Sequence, residues 1–88
     1  MAKLDQSRQG TVWIYANSVP GSNTNFYTYV SPDNVNWYLT KQQTLNGNNN
    51  RVWVNCGAHN GNVLYVSIAV LHNGASTANI NIDAIIIA

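Results

Sequence analysis

The side chains able to do chemistry are few in this sequence. The carboxylates are Asp5, Asp33 and Asp83, and there is no glutamate. General acid–base cleavage of a glycosidic bond needs two carboxyl groups about 5–9.5 Å apart. Asp33 reads more simply as a turn residue, which leaves Asp83 without a partner. Cys56 is the only cysteine, and His59 follows three residues later in a glycine-containing stretch. A thiolate pair there would still lack an orienting group and an oxyanion site. The competing reading is an ordinary buried thiol. A metal held by Cys56 and His59 across subunits would need further ligands. His59 and His72 both adjoin Asn-Gly pairs, where solvated loop histidines are the default. No glycine-rich phosphate motif is present. These residues predict no enzyme, no catalytic group and no cofactor, with calcium on loop backbone oxygens left open.

Composition narrows the partners. A chain of 88 residues makes one domain. It buries only about 60–65% of the surface its unfolded form exposes, so its core is thin. A lone cysteine excludes an internal disulfide, and self-association is the expected support. Lys3, Arg8, Lys41 and Arg51 are the only strong bases, and the net charge is +1. Four scattered cations make no phosphate track, so nucleic acid is not an expected partner. A weakly charged surface rich in Asn, Ser and Thr permits close packing with like copies. No run of about 18 apolar residues exists to cross a membrane as a helix. The opening MAKLDQSRQG lacks the apolar segment of a secretory signal. The expected setting is extracellular or a virion surface, without a signal peptide of its own.

Strands punctuated by turns must position whatever site exists. TVWIYA (11–16), FYTYVS (26–31), NWYLT (36–40), RVWVN (51–55), VLYVSIAVL (63–71) and ANINIDAIII (78–87) are rich in β-branched and aromatic residues. NSVPGSNTN (17–25) is a loop by composition. SPDN (31–34) is a turn with Pro32 at its second position. Asn46-Gly47, Asn60-Gly61 and Asn73-Gly74 are tight-turn signals, because both residue types tolerate positive φ. No segment carries a helical period. The prediction is an all-β, antiparallel β-sandwich of about six to eight strands. Residues 1–10 form an N-terminal arm, and 11–88 form a single sandwich domain.

Strand alternation sorts the side chains. One phase collects Val12, Ile14, Phe26, Val30, Trp37, Leu39, Val52, Val54, Leu64, Val66, Ile68, Val70, Ile80, Ile82, Ala84 and Ile86, taken as the core, with Thr28 its one misfit. The opposite phase collects Trp13, Tyr15, Tyr27, Tyr29, Tyr38, Trp53 and Tyr65, mixed with Thr11, Arg51, Asn55, Ser67, Asn81 and Asp83. At roughly 100 Å² per ring the aromatic surface would total roughly 700 Å², more than a monomer's usual largest apolar patch. Two outer faces could divide it. Tyrosines at a rim with wet hydroxyls would also satisfy the pattern. Rings facing outward serve either as a platform for the C–H faces of sugars or as a packing surface. Trp13, Tyr15, Tyr27, Tyr29, Tyr38, Arg51, Trp53, Tyr65, Asn81 and Asp83 are the candidate ligand or interface residues.

The segment FYTYVSPDNVNWYLT (26–40) resembles part of the discoidin and galactose-binding-like jelly-roll superfamily. That family runs a strand into a Ser-x-Asp-Gly-x-x-Trp turn, matched here by Ser31, Asp33, Asn34 and Trp37. Asn in place of Gly also tolerates the left-handed region. LYVSIAV (64–70) is similar to the family's Tyr-Val-Arg-Ile strand, with Ser67 in the Arg position. INIDAIII (80–87) is similar to its closing Ile-Asp-x-Ile strand. The N-terminal part of that fold has no counterpart here. The resemblance implies a jelly roll in which Asp33 caps the turn and Trp37 packs in the core. It also implies non-catalytic attachment to glycans, cell surfaces or lipids.

The sequence thus predicts a non-catalytic surface attachment or decoration module working as many copies, of virion or phage-surface type, with residues 1–10 packing on a neighbour. The alternative is a carbohydrate-binding module excised from a secreted enzyme or adhesin. A third reading is a filament subunit, prompted by the closing IDAIIIA, which is apolar on both faces. A central strand would show the same pattern.

Overall fold

The computed structural model describes residues 2–18, 23–71 and 80–88. They form five strands: β1 (Ala2–Ser18), β2 (Thr24–Ser31), β3 (Tyr38–Leu45), β4 (Val52–Leu71) and β5 (Ile80–Ile87). All belong to one sheet in the order β3-β2-β4-β1-β5, and every pairing between these strands is antiparallel. The described residues include no helix, as expected of runs dominated by Val, Ile, Tyr and Trp. The surface of 5091 Å² equals the ~5,100 Å² typical of a folded monomer of this mass.

The strand count falls below the expected six to eight because two expected strands are one. The expected strands 51–55 and 63–71 merge into a single strand of 20 residues, Val52–Leu71, and Asn60-Gly61 lies inside it rather than at a turn. Residues 2–10 belong to β1 and run along β4 of the same chain, from Ala2 opposite Val66 to Gly10 opposite His59. Extended backbone in β3 also continues past the expected end of its strand at Thr40 to Leu45, up to the Asn46-Gly47 pair. Asn73-Gly74 lies outside the described residues.

Strands this long must bend, and bulges do the bending. Between Thr11 and Trp13 the β1 register jumps from Ala58 to Asn55, so β4 carries an extra residue at Cys56–Gly57. Gly57 adopts φ 83°, and a Cβ there would sit 2.6 Å from the Thr40 carbonyl oxygen. Only glycine meets both demands. The bend brings the first half of β4 against β3, its non-neighbour in the sheet. Thr40 Oγ1 donates to Cys56 O at 2.7 Å, and Gln43 Nε2 donates to Asn55 O at 3.1 Å.

The concave side holds the core. Val12, Ile14, Ala16, Phe26, Val30, Cys56, Val63, Val66 and Ile87 are buried, with Leu4, Leu45, Val54, Ile68, Val70, Ile80, Ile82 and Ile85 packed against them. Thr28, the expected misfit, is fully buried among them. Its hydroxyl meets no partner in hydrogen-bond geometry.

Three expected core residues are exposed instead, and two of them follow from bulges. Thr28 pairs Lys41 while Tyr29 pairs Leu39, so Thr40 is an extra residue and Leu39 turns outward, 54% exposed. Tyr15 pairs Ala84 while Ala16 pairs Ile82, so Asp83 is an extra residue. Beyond it the phase flips. Ala84 and Ile86 join the outer row, Ile86 44% exposed, while Ile85 and Ile87 point inward. This is why IDAIII is apolar in both phases, and β5 is an edge strand rather than a central one. Val52 keeps its inward phase opposite Ala16 but is the first residue of β4, at the rim of the core, and is 44% exposed. Trp37, Leu64 and Ala84 are half-buried rather than fully buried.

Candidate functional site

The outer side of the sheet carries the rings. Odd-numbered residues of β1 from Trp13 to Asn17 share one face, and register extends that face to both neighbours. Tyr15 lies between Trp53 on β4 and Ala84 on β5. Trp13 lies between Asn55 and Ile86. The Tyr15 and Trp53 rings are 5.1 Å apart and inclined at 40°. Trp53 is 49% exposed, while Tyr15 and Trp13 are half-buried.

A polar row borders these rings. Arg51 precedes β4 and reaches Asp83 on β5, with Nε 2.8 Å from Oδ2. The pair is close but not aligned as a hydrogen bond. Both side chains are more than a third exposed, so the contact contributes at most about 1 kcal/mol. Asn81 Nδ2 donates to Asn17 Oδ1 at 3.3 Å, and Asn17 Nδ2 donates to Asn48 O at 2.8 Å. Six candidates therefore gather on one surface: Trp13, Tyr15, Arg51, Trp53, Asn81 and Asp83.

The remaining four do not join them. Tyr27 and Tyr29 lie on the outer side of β2, with ring centres 6.4 Å apart. Ala69 and Ser67 of β4 stand opposite them. Tyr65 continues this second row, opposite Ser31 and Lys3. Tyr38 stands apart, stacked on His59 with ring centres 4.3 Å apart and planes 14° off parallel. That stack was not legible in the sequence, because the Gly57 bulge and the fold-over of β3 create it.

The Ser31–Asn36 turn is locally determined. Ser31 Oγ accepts from Asn34 N at 2.9 Å, and Asp33 Oδ1 accepts from Val35 N and Asn36 N, each at 2.9 Å. Asn34 sits at φ 65°, the left-handed position. Backbone donors from Asn36 and Val35 hold the Asp33 carboxyl down at about 2, since they favour its ionised form. Asp33 therefore caps a turn.

Cys56 faces the core. Gln43 Nε2 is 3.6 Å from its sulfur, which in turn lies 3.7 Å from Val54 O. Burial pushes the thiol up, against weaker opposing contributions from Thr28, Lys41 and Gln43. A protonated, buried thiol is a poor nucleophile, and His59 is engaged with Tyr38. Among the described residues no three His, Cys, Asp or Glu side chains cluster to hold a metal ion. No described helix is long and apolar enough to cross a membrane.

Fold and surface together define an all-β chain of one bent antiparallel sheet, with rings on its outer side. The chain matches no protein-family model, no curated protein and no solved structure.

Proposed function

We propose that this chain is a non-catalytic attachment or decoration module that acts as many copies, as on a virion or phage surface, and that the Trp13–Tyr15–Trp53 face is its contact surface. The bent sheet is read as a compact sandwich of the galactose-binding-like, jelly-roll kind. One observation carries the proposal: large rings occupy the outer side of the sheet, Trp53 half-exposed, while the core is closed by aliphatic side chains and Phe26. Aromatic residues at the centre of a patch with a polar rim are the usual anchors of recognition surfaces. Light scattering across a concentration series tests the multi-copy part. Association that rises with concentration and weakens in Trp53→Ala supports it, and a strict monomer at high concentration contradicts it.

The second reading is a carbohydrate-binding module, favoured by the Tyr15–Trp53 contact. Two rings 5.1 Å apart present one continuous apolar area that a pyranose C–H face could cover. Arg51, Asp83 and Asn81 alongside could hydrogen-bond its hydroxyls. A glycan array decides it. Binding that Trp53→Ala abolishes supports the reading, and no binding, or binding that survives the substitution, ends it.

A further inference from the structure

We infer that β5 is a self-pairing edge: two copies of the chain join β5 to β5, antiparallel about a two-fold axis, into one continuous sheet. The inference rests on the multi-copy reading and supplies its interface. β5 is the terminal strand of the sheet. Edge strands are normally short, charged, proline-bearing, bulged or covered, and of these devices the described residues of β5 carry only the charge and the bulge at Asp83. β5 spans eight residues, Ile80–Ile87, with Asp83 its only charge and no lysine or proline. Two grooves lie against β5, one of about 470 Å³ between Ile85–Ile87 and Lys3, Leu4, Asp5 and Arg8 of β1, and one of about 320 Å³ between Ile82 and Ile85 and Ala2, Val66 and Ile68.

What identifies a second copy as the occupant is the symmetry that the Asp83 bulge creates. In a regular strand, side chains facing one way all share one parity. Self-pairing about an axis normal to the sheet then sets even positions against even and odd against odd. With the bulge, Ile80 and Ile82 face inward before it, and Ile85 and Ile87 face inward after it. The pattern becomes symmetric about the Asp83–Ala84 bond. Ile80 then stands opposite Ile87 of the second copy, and Ile82 opposite Ile85, all on the inner side. Asn81 stands opposite Ile86, and Asp83 opposite Ala84, on the outer side. Asp83 never meets its own copy.

The main-chain groups agree with this register. Thr11 and Ala88 exchange both N–H···O bonds at 3.0 Å. Alternation along an antiparallel pair then turns Ile86 and Ala84 toward β1, and Ile85 and Ile87 toward the free edge. Beyond the bulge Asn81, opposite Asn17, turns toward β1, which leaves Ile80 and Ile82 facing the free edge. The positions with free donors and acceptors are the four that the symmetric register sets against one another. Side-chain direction and hydrogen-bond phase alternate together along a strand, and this one register satisfies both. With a net charge of +1, little repulsion opposes two copies.

Cross-linking tests the register. Asn81→Cys and Ile86→Cys occupy opposed, non-hydrogen-bonded positions whose Cα atoms would be about 4.5 Å apart, inside the disulfide range of about 4.4–6.8 Å. Both residues point outward, and Cys56 is buried and stays out of the exchange. An oxidised mixture of the two variants should yield the mixed disulfide as its main product, and neither variant alone should cross-link comparably. Sedimentation equilibrium adds direction. Ala84→Asp sets a second carboxylate opposite Asp83 twice over and should weaken dimerisation about three- to tenfold, whereas Ala84→Lys should not weaken it. Oligomers that form without the mixed disulfide would overturn the β5 pairing and leave the multi-copy reading standing. A chain that remains monomeric overturns both.

Discussion

Two ladders of β4 differ in kind. Where β4 meets β2, from Asn25 opposite Leu71 to Ser31 opposite Tyr65, the register is unbroken. Where β4 meets β1 it shifts repeatedly, between Lys3 and Arg8, between Arg8 and Gly10, and between Thr11 and Trp13. The regular ladder carries Tyr27, Tyr29 and Tyr65 opposite small or short side chains. The bulged ladder bends the sheet over its own core and carries Trp13, Tyr15 and Trp53 on the outer side of the bend, beside a charged pair. Bulges raise local twist and re-aim side chains. The irregular region is therefore the one where the outward rings sit on a bend beside charged groups.

The largest test of that contrast is Gly57→Ala. The substitution forces a side chain into positive φ and against the Thr40 backbone, and should cost about 2–4 kcal/mol in urea denaturation. Ala69→Gly in the regular ladder should cost only about 0.5–1 kcal/mol. Equal losses would mean that the bend is not a special point of the fold.

A double-mutant cycle sharpens the comparison between the ring pairs. Tyr15 and Trp53 meet across strands, and their coupling should be about 0.5–1.5 kcal/mol. Tyr27 and Tyr29, two apart on one strand and 6.4 Å between centres, should couple by less than about 0.3 kcal/mol. Smaller still is the rim. Asp83→Asn should change stability by at most about 1 kcal/mol, and salt should erase the difference, because the pair is exposed.

A separate, pH-dependent effect is in the Ser31–Asn36 turn. The Asp33 carboxyl is depressed from 3.8 to about 2 in the folded chain. Its contribution to stability is thus fully present above pH ~4 and is lost as pH falls through about 2. NMR titration of the Asp33 carboxyl carbon checks this directly. Asp33→Asn should flatten the acid limb of the stability curve.

Much of this fold can be read from alternation. Val12, Ile14, Phe26, Val30 and Val66 face the core, and the tyrosines and Trp13 and Trp53 do not. Asp33 caps its turn, because a short Asx motif carries its own geometry in sequence. What escaped reading is where alternation breaks. Leu39 and Ile86 are displaced by single extra residues, Thr40 and Asp83, and a bulge without glycine leaves no mark in composition. Asn60-Gly61 has the chemistry of a turn, yet pairing with β1 on both sides of it keeps β4 extended. The division of the candidate residues into two outer surfaces and the Tyr38–His59 stack depends on strand order, which local sequence does not encode.

Hydroxyl-radical footprinting, read residue by residue in the dilute chain and in its assembled or glycan-bound form, tests the central claim about Trp53. The account predicts rapid oxidation of Trp53 in the dilute chain, strong protection on attachment, and an unreactive Phe26 in both states. A Trp53 protected in the dilute monomer, or equally reactive before and after attachment, would contradict it.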